Sequence, residues 1–478
     1  MIKEIVKGGS LILTSVIVAK VFSLIYTPVL ARYLGPSGLG IYNLALVMLP
    51  WFVTLISLSL STLVAQLVAE NKNEKDLPAI ITTCVSFTGI LSIFGAVIHF
   101  FAARIIAVEF FNMPGLIPYI RIASLCIATA IFYNNAIGIA RGLKNFKLYL
   151  NLEIIKSFML VALGLFFLLV LKYRIKGALI AMVLAPLVSS IVLLWKYKKY
   201  IQRRIKWEII RLSLRLGSWI TLLSLLLTIL MTVDKFLLGV YTDPKTVGLY
   251  VAVASITTAI SLIPSSFKGS ILPFISENFK DKEKIKVMVE RILVYALILV
   301  SCAVIVFVGF REEIVLLIFG RQFISAVKVI PVLALTLLPY TVYIIIQSVI
   351  LDRRLIKKAT IVLIPILLIA LTIDIILTKR FGMIGAGCGI LISHTMVSSM
   401  YLIMLKKEFN FEIKRIIYLV GLIIFSMGSA YSLPGRLAVR IILFLVIMLI
   451  YSGIIYLMKY ITETEVRLVI NKIKRSFL

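Results

Sequence analysis

Apolar runs close to the ~20 positions that a helix needs to cross a bilayer follow one another along almost the whole chain, parted by short polar segments. They fall near 8–31, 40–66, 78–103, 117–140, 149–171, 177–195, 216–240, 247–270, 289–310, 325–351, 358–378, 384–405, 416–432 and 437–458. This pattern predicts an all-α polytopic membrane protein with about fourteen transmembrane helices and no soluble domain. The first run carries Lys20 and lacks a small-residue cleavage site, so it reads as a retained helix rather than a signal peptide.

Polar residues within the runs form stripes. Run seven carries Gly217, Thr221, Ser224, Thr228 and Lys235 at helical spacing, with Thr232 beside them; run two carries Asn43, Pro50, Thr54, Ser57 and Ser61. Run eight adds Ser255, Thr258 and Ser265, and run one adds Lys20, Ser23 and Thr27. A single Ser or Thr usually bonds the preceding turn, but stripes on four helices predict a water-filled cleft lined by runs one, two, seven and eight. Run ten presents Thr336, Tyr340, Tyr343 and Gln347, groups suited to sugar hydroxyls and ring faces and equally to packing.

A phrase recurs at a fixed displacement. Tyr33, Pro36, Gly40 and Tyr42 match Tyr241, Pro244, Gly248 and Tyr250, each 208 positions on, and Ile175-Lys176-Gly177-Ala178 matches Met383-Ile384-Gly385-Ala386 at the same displacement. Two pseudo-symmetric six-helix bundles follow, over 1–205 and 206–410, with two extra helices and a basic tail over 411–478. An even number of spans per copy gives both copies one orientation. The phrase reads as a turn that starts at Pro, brings the next helix close at Gly and places its tyrosines in the interface belt.

Composition agrees: 61% of residues are apolar and 15% charged, with mean hydropathy +1.09. The net charge of +30 sits in loops, where the positive-inside bias puts both termini in the cytoplasm; no basic soluble domain exists to bind nucleic acid. Segment 196–215 reads as an amphipathic surface helix, and Thr462 with Glu465 starts another in the tail.

Charges inside the runs sharpen the cleft. Lys20 lies near mid-run with no carboxylate within two turns, at an insertion cost of about 2.5–3.5 kcal/mol, which favours cavity lining over pairing across helices. Lys235 lines the cleft or pairs with Asp234; Arg121 lines it or snorkels. Glu153 and Lys156 are spaced to pair, and Asp374, with Lys379 and Arg380 following, reads as interfacial. The candidate cavity set is Lys20, Lys235, Arg121, Asn43, Thr228, Ser224, Gln347 and Tyr340. More fixed cations than anions select an anionic guest.

Nothing points to catalysis or a cofactor. There is no Walker loop, no HExxH and no nucleophile–base pair. Gly382, Gly385, Gly387 and Gly389 follow no strand and read as helix packing. Cys84, Cys126, Cys302 and Cys388 read as small apolar residues, while His99 and His394 read as lone membrane-end residues that support no metal site.

The phrases ARYLGPSGLGIY (31–42), ARGLKNF (140–146), DKFLLGVYTDPKTVGLY (234–250) and IVLLIFGRQF (314–323) resemble those of the multidrug/oligosaccharidyl-lipid/polysaccharide exporter superfamily, in its polysaccharide-flippase branch of Wzx-type and sporulation-type relatives. The resemblance covers essentially the whole chain. It implies a monomeric flippase in the cytoplasmic membrane of a prokaryote, moving a polyprenyl-diphosphate-linked oligosaccharide to the outer leaflet by alternating access, driven by a coupling ion or the membrane potential. In the lipid II branch a cationic central cavity is associated with the lipid diphosphate, and Lys20 occupies a comparable place. A cation-coupled multidrug antiporter is the main alternative; the lack of a mid-membrane acid in runs one to four weighs against it. A non-transporting envelope-assembly scaffold is the second.

Overall fold

The computed structural model describes residues 2–58, 60–70, 77–200, 205–277, 281–350, 353–409, 411, 413–433, 437–458 and 460. The expected tail helix beyond 461 lies outside them. Every element among the described residues is helical. In chain order they are α1 (Ile2–Leu46), α2 (Leu49–Ser57), α3 (Leu60–Glu70), α4 (Leu77–Ile105), α5 (Ile117–Gly142), α6 (Phe146–Leu165), α7 (Arg174–Lys196) and α8 (Trp207–Tyr241). There follow α9 (Pro244–Ile260), α10 (Leu262–Glu277), α11 (Lys282–Gly309), α12 (Arg311–Ile318), α13 (Ile330–Ile350), α14 (Arg353–Phe409), α15 (Lys414–Tyr431) and α16 (Leu437–Leu457).

The helices follow the apolar runs because a spanning segment must satisfy its own backbone hydrogen bonds. Phe101, Phe425 and Leu449 remain about three-quarters exposed, as lipid permits and water does not. The chain is a multi-pass membrane protein. Polar caps mark the ends: the carboxylates of Asp243 and Asp281 and the amide oxygen of Asn145 accept the N–H of Thr246, Lys284 and Leu148.

The described residues contain twelve candidate spans rather than fourteen separate ones. Runs one and two form a single span, Ile17–Ala69, and runs eleven and twelve another, Lys357–Lys407. At ~1.5 Å per residue each exceeds ~75 Å, more than twice the ~30 Å apolar core. Each is broken at a glycine in the left-handed region, Gly35 (φ 69°) and Gly382 (φ 53°). The segment expected as a surface helix over 196–215 is different: residues 201–204 lie outside the described ones, and from Trp207 onward the chain is already the first turns of α8.

The 208-residue displacement is visible in the backbone. Arg174 (φ 49°) and Gly382 (φ 53°) turn the same way at equivalent positions. In the repeated phrase, the first tyrosines, Tyr33 and Tyr241, are exposed, but Tyr42 and Tyr250 are buried rather than set in an interface belt. The glycines also act differently from expectation, joining the two copies instead of two neighbouring helices. A Cβ on Gly40 would lie 1.7 Å from the Pro244 carbonyl oxygen, and one on Gly248 would lie 1.8 Å from that of Pro36. Only glycine permits this crossing of two backbones.

Further contacts hold the same end shut. The Arg32 guanidinium donates to the carbonyls of Ile318 (3.0 Å) and Leu317 at the C-terminus of α12, a site where a cation also meets the helix dipole. Deeper, the Trp51 indole N–H donates to Thr232 Oγ1 at 2.6 Å. The last helix, α16, docks on α11 through Ser301 and Tyr451, whose hydroxyls bond, and on α12 through Arg440 and Glu313 at 2.6 Å, while α15 meets α12 where Arg311 donates to the Tyr431 carbonyl.

Candidate functional site

On the N-terminal side of the Gly40–Gly248 crossing lies a cavity of about 700 Å³, bounded chiefly by α1, α9 and the end of α12, with single residues from α6, α7 and α8. Sequence spacing explains its walls: Lys20, Ser23 and Thr27 recur on one face of α1, and Ser255 and Thr258 on one face of α9. Asn43 and Lys235 complete the polar lining, with Arg32 at the closed end. Leu24 of α1 and Leu317 of α12 are exposed apolar residues that also line the cavity. The site thus sets three cations, an amide and hydroxyls among a larger number of apolar side chains.

Of the eight candidate residues, the structure brings together Lys20, Asn43 and Lys235. Lys20 is half-buried, and the charge that bears on it is another cation, Lys156. Lys156 holds Glu153 at 2.7 Å, as their spacing predicts, and lies over the Tyr133 ring. Lys235 turns into the cavity while its neighbour Asp234 turns away, so adjacent residues face opposite sides of α8 and do not pair.

Five candidates lie outside this cavity. Arg121 is exposed and stacks over Phe100, 5.0 Å from the ring centre. The Thr228 hydroxyl donates to the Ser224 carbonyl at 2.6 Å, which is ordinary intrahelical bonding. Tyr340 packs on Tyr343 and His394, and Tyr343 stacks on Tyr401, so the run-ten stripe serves the interior of the C-terminal half. His99 and His394 are buried. No group of residues able to hold a metal through three His, Cys, Asp or Glu occurs among the described residues.

A second cluster escaped sequence reading. Asp234 of α8 and Asp374 of α14 are both almost wholly buried, which corrects the interfacial position expected for Asp374. Tyr250 donates to Asp234 at 2.6 Å and Ser393 to Asp374 at 3.2 Å. One oxygen of each carboxylate, and the nearby Thr378 hydroxyl on α14, is buried without a hydrogen-bond partner. Gly389 lets the second arm of α14 close on Asp374, since a Cβ there would meet its carboxylate at 2.0 Å; a Cβ on Gly385 would meet the Leu377 carbonyl at 1.9 Å. The two acids are 140 residues apart, so only the packing of α8 on α14 reveals them as neighbours.

With this geometry in view, residues 5–279 match the model of the polysaccharide biosynthesis protein family. The chain belongs to that family. It is 22% identical to the stage V sporulation protein B of Bacillus subtilis (strain 168), over 93% of this chain and 95% of that one. It is 21% identical to a candidate O-antigen transporter of Shigella flexneri, over 65% of this chain and 78% of that protein. Among solved structures it shares its fold with the lipid II flippase MurJ in an inward closed conformation, at TM-score 0.74 and 16% identity over 93% of this chain and 98% of that one. An inward-facing multidrug transporter of the superfamily aligns at TM-score 0.69 and 16% identity, over 84% of this chain and 95% of that one.

Proposed function

We propose that this protein is a lipid-linked oligosaccharide flippase. It takes a polyprenyl-diphosphate sugar from one leaflet and delivers it to the other by alternating access, for surface-glycan synthesis. The observation that carries the reading is the cavity: cations at Lys20, Lys235 and Arg32 and hydroxyls on two helices, bordered by exposed leucines. That combination suits a diphosphate and its first sugars inside, with the prenyl tail left in lipid. At about 700 Å³ the space lies within the ~300–1,000 Å³ usual for small-ligand sites, so a long polymer would enter only in part. The family and the relatives named above support the same reading.

Mechanistically, Lys20 and Lys235 neutralise the diphosphate from opposite walls, one from each half, so binding draws the halves together around it. Dividing the two long spans at Gly35 and Gly382 gives fourteen crossings, two six-helix bundles and a docked pair, α15 and α16. The positive-inside bias puts both termini in the cytoplasm, which makes the closed end outer and the cavity inward-facing. Asp234 and Asp374 would hold a coupling cation, a proton in the simplest case, since two buried carboxylates side by side require a compensating positive charge. The multidrug-antiporter reading fits less well, because a cavity carrying three cations repels the cationic drugs such proteins take.

The test is Lys20→Ala in proteoliposomes loaded with a fluorescent polyprenyl-diphosphate sugar. Flipping is expected to fall at least about tenfold, the loss of one charge-assisted contact of ~1.5–3 kcal/mol, with Lys20→Arg retaining most activity. Undiminished flipping by the Ala variant, with its fold intact, excludes the assignment.

A further inference from the structure

The two arms of α14 fold against each other about Gly382, leaving a groove of about 380 Å³ that shares no residue with the cation-lined cavity. Its first wall is Lys358, Val362 and Ile366, spaced four apart; its second is Lys407, Ile403, Met400 and Met396, at steps of four, three and four. Each wall is therefore one helical stripe headed by a lysine. Both lysines are exposed, and none of the lining residues is acidic. Beside them Lys357 sits over the Trp219 ring, 5.5 Å from its centre, as an anchor at the membrane–water boundary would.

The dimensions select the occupant. The eight helical steps from Lys358 to Ile366 rise ~12 Å and the eleven from Met396 to Lys407 rise ~16 Å. One leaflet of the apolar core is ~15 Å deep. The groove is thus as long as one acyl chain. Ser399 is its sole hydroxyl, which offers sugars little. A prenyl chain longer than a leaflet would overrun it.

We propose that this groove binds an anionic phospholipid of the leaflet at the N-terminal end of the bundle, one acyl chain lying along the stripes and the phosphate held between Lys358 and Lys407. The site is independent of the transport reading and places an ordered lipid on α14, the helix that also carries Asp374.

Native mass spectrometry of the full chain, released from micelles containing equal phosphatidylglycerol and phosphatidylcholine, tests it. The unaltered protein retains phosphatidylglycerol preferentially. At ~1 kcal/mol per lysine, Lys358→Gln with Lys407→Gln lowers that preference roughly 25-fold, whereas the Arg pair keeps it. Ser399→Trp with Ile403→Trp fills the groove and removes the retained lipid while leaving the lysines in place. An unchanged preference in the Gln pair overturns the proposal. So does displacement of phosphatidylglycerol by equimolar polyprenyl phosphate, which would assign the groove to a prenyl tail.

Discussion

Adding one methyl group at Gly40 is the sharpest way to ask whether the closed end opens during transport. A Cβ there would stand 1.7 Å from the Pro244 carbonyl oxygen, and an ordinary carbon–oxygen contact begins near ~3.3 Å. Gly40→Ala therefore requires the two backbones to part by ~1.6 Å, and the atom met is main chain, which no rotamer change can move aside. Overpacking of this kind costs about 1–3 kcal/mol. The cost falls on the closed arrangement alone, because the crossing does not exist once the end opens. A bias of that size shifts a two-state equilibrium about 5- to 150-fold. Spin labels at the exposed Tyr33 and Tyr241 positions report it by double electron–electron resonance. The variant is expected to gain a longer-distance population and to flip substrate more slowly, and Gly248→Ala to behave alike through the Pro36 carbonyl. An unaltered distance distribution together with wild-type flipping would show that the crossing is a fixed weld, and the gating argument would fall.

Two further outcomes follow from the acids. Asp374→Asn keeps the shape of the buried cluster but removes a charge, so flipping should lose its dependence on the coupling cation while the cavity still binds substrate; proteoliposomes with varied Na⁺ and pH gradients read this, and unchanged ion dependence would count against coupling there. Asp243 lies outside the spans. Partial burial pushes its carboxyl up, but the Thr246 N–H and hydroxyl outweigh this and hold it below the usual range. Its contribution is present above the unfolded value near 3.9 and is lost as pH falls through the lower folded value. Asp243→Ala should cost ~1 kcal/mol at neutral pH, and Asp243→Asn should flatten acid sensitivity below about pH 4 in thermal melts. Equal acid sensitivity in Asn and parent proteins would remove the cap from the account.

Much of this architecture is written in local pattern. Lipid enforces helices wherever an apolar run is long enough, so the spans and the repeat could be read directly, and the stripes on α1 and α9 led to the cavity with Lys20, Asn43 and Lys235 in it. Periodicity fails where it cannot say which neighbour a face meets. Thr336, Tyr340 and Gln347 form as good a stripe as Lys20, Ser23 and Thr27, yet they pack inside the C-terminal half. Asp374 looked interfacial beside Lys379 and Arg380, but the turn at Gly382 folds the next arm back over it. The fourteen runs appear as twelve candidate spans because α1 and α14 pass through their glycine breaks without a loop.

The Gly40–Gly248 crossing has one more property. Pro36 of the first phrase meets Gly248 of the second, and Pro244 of the second meets Gly40 of the first. A contact in which each side presents the same patch to the other is isologous, the kind that twofold dimers form. The protein closes this end as a homodimer would, with both sides of the contact carried on one polypeptide. Such a seam is self-complementary at its backbone, because the Pro carbonyl and the Gly that form it are both present in each copy of the phrase.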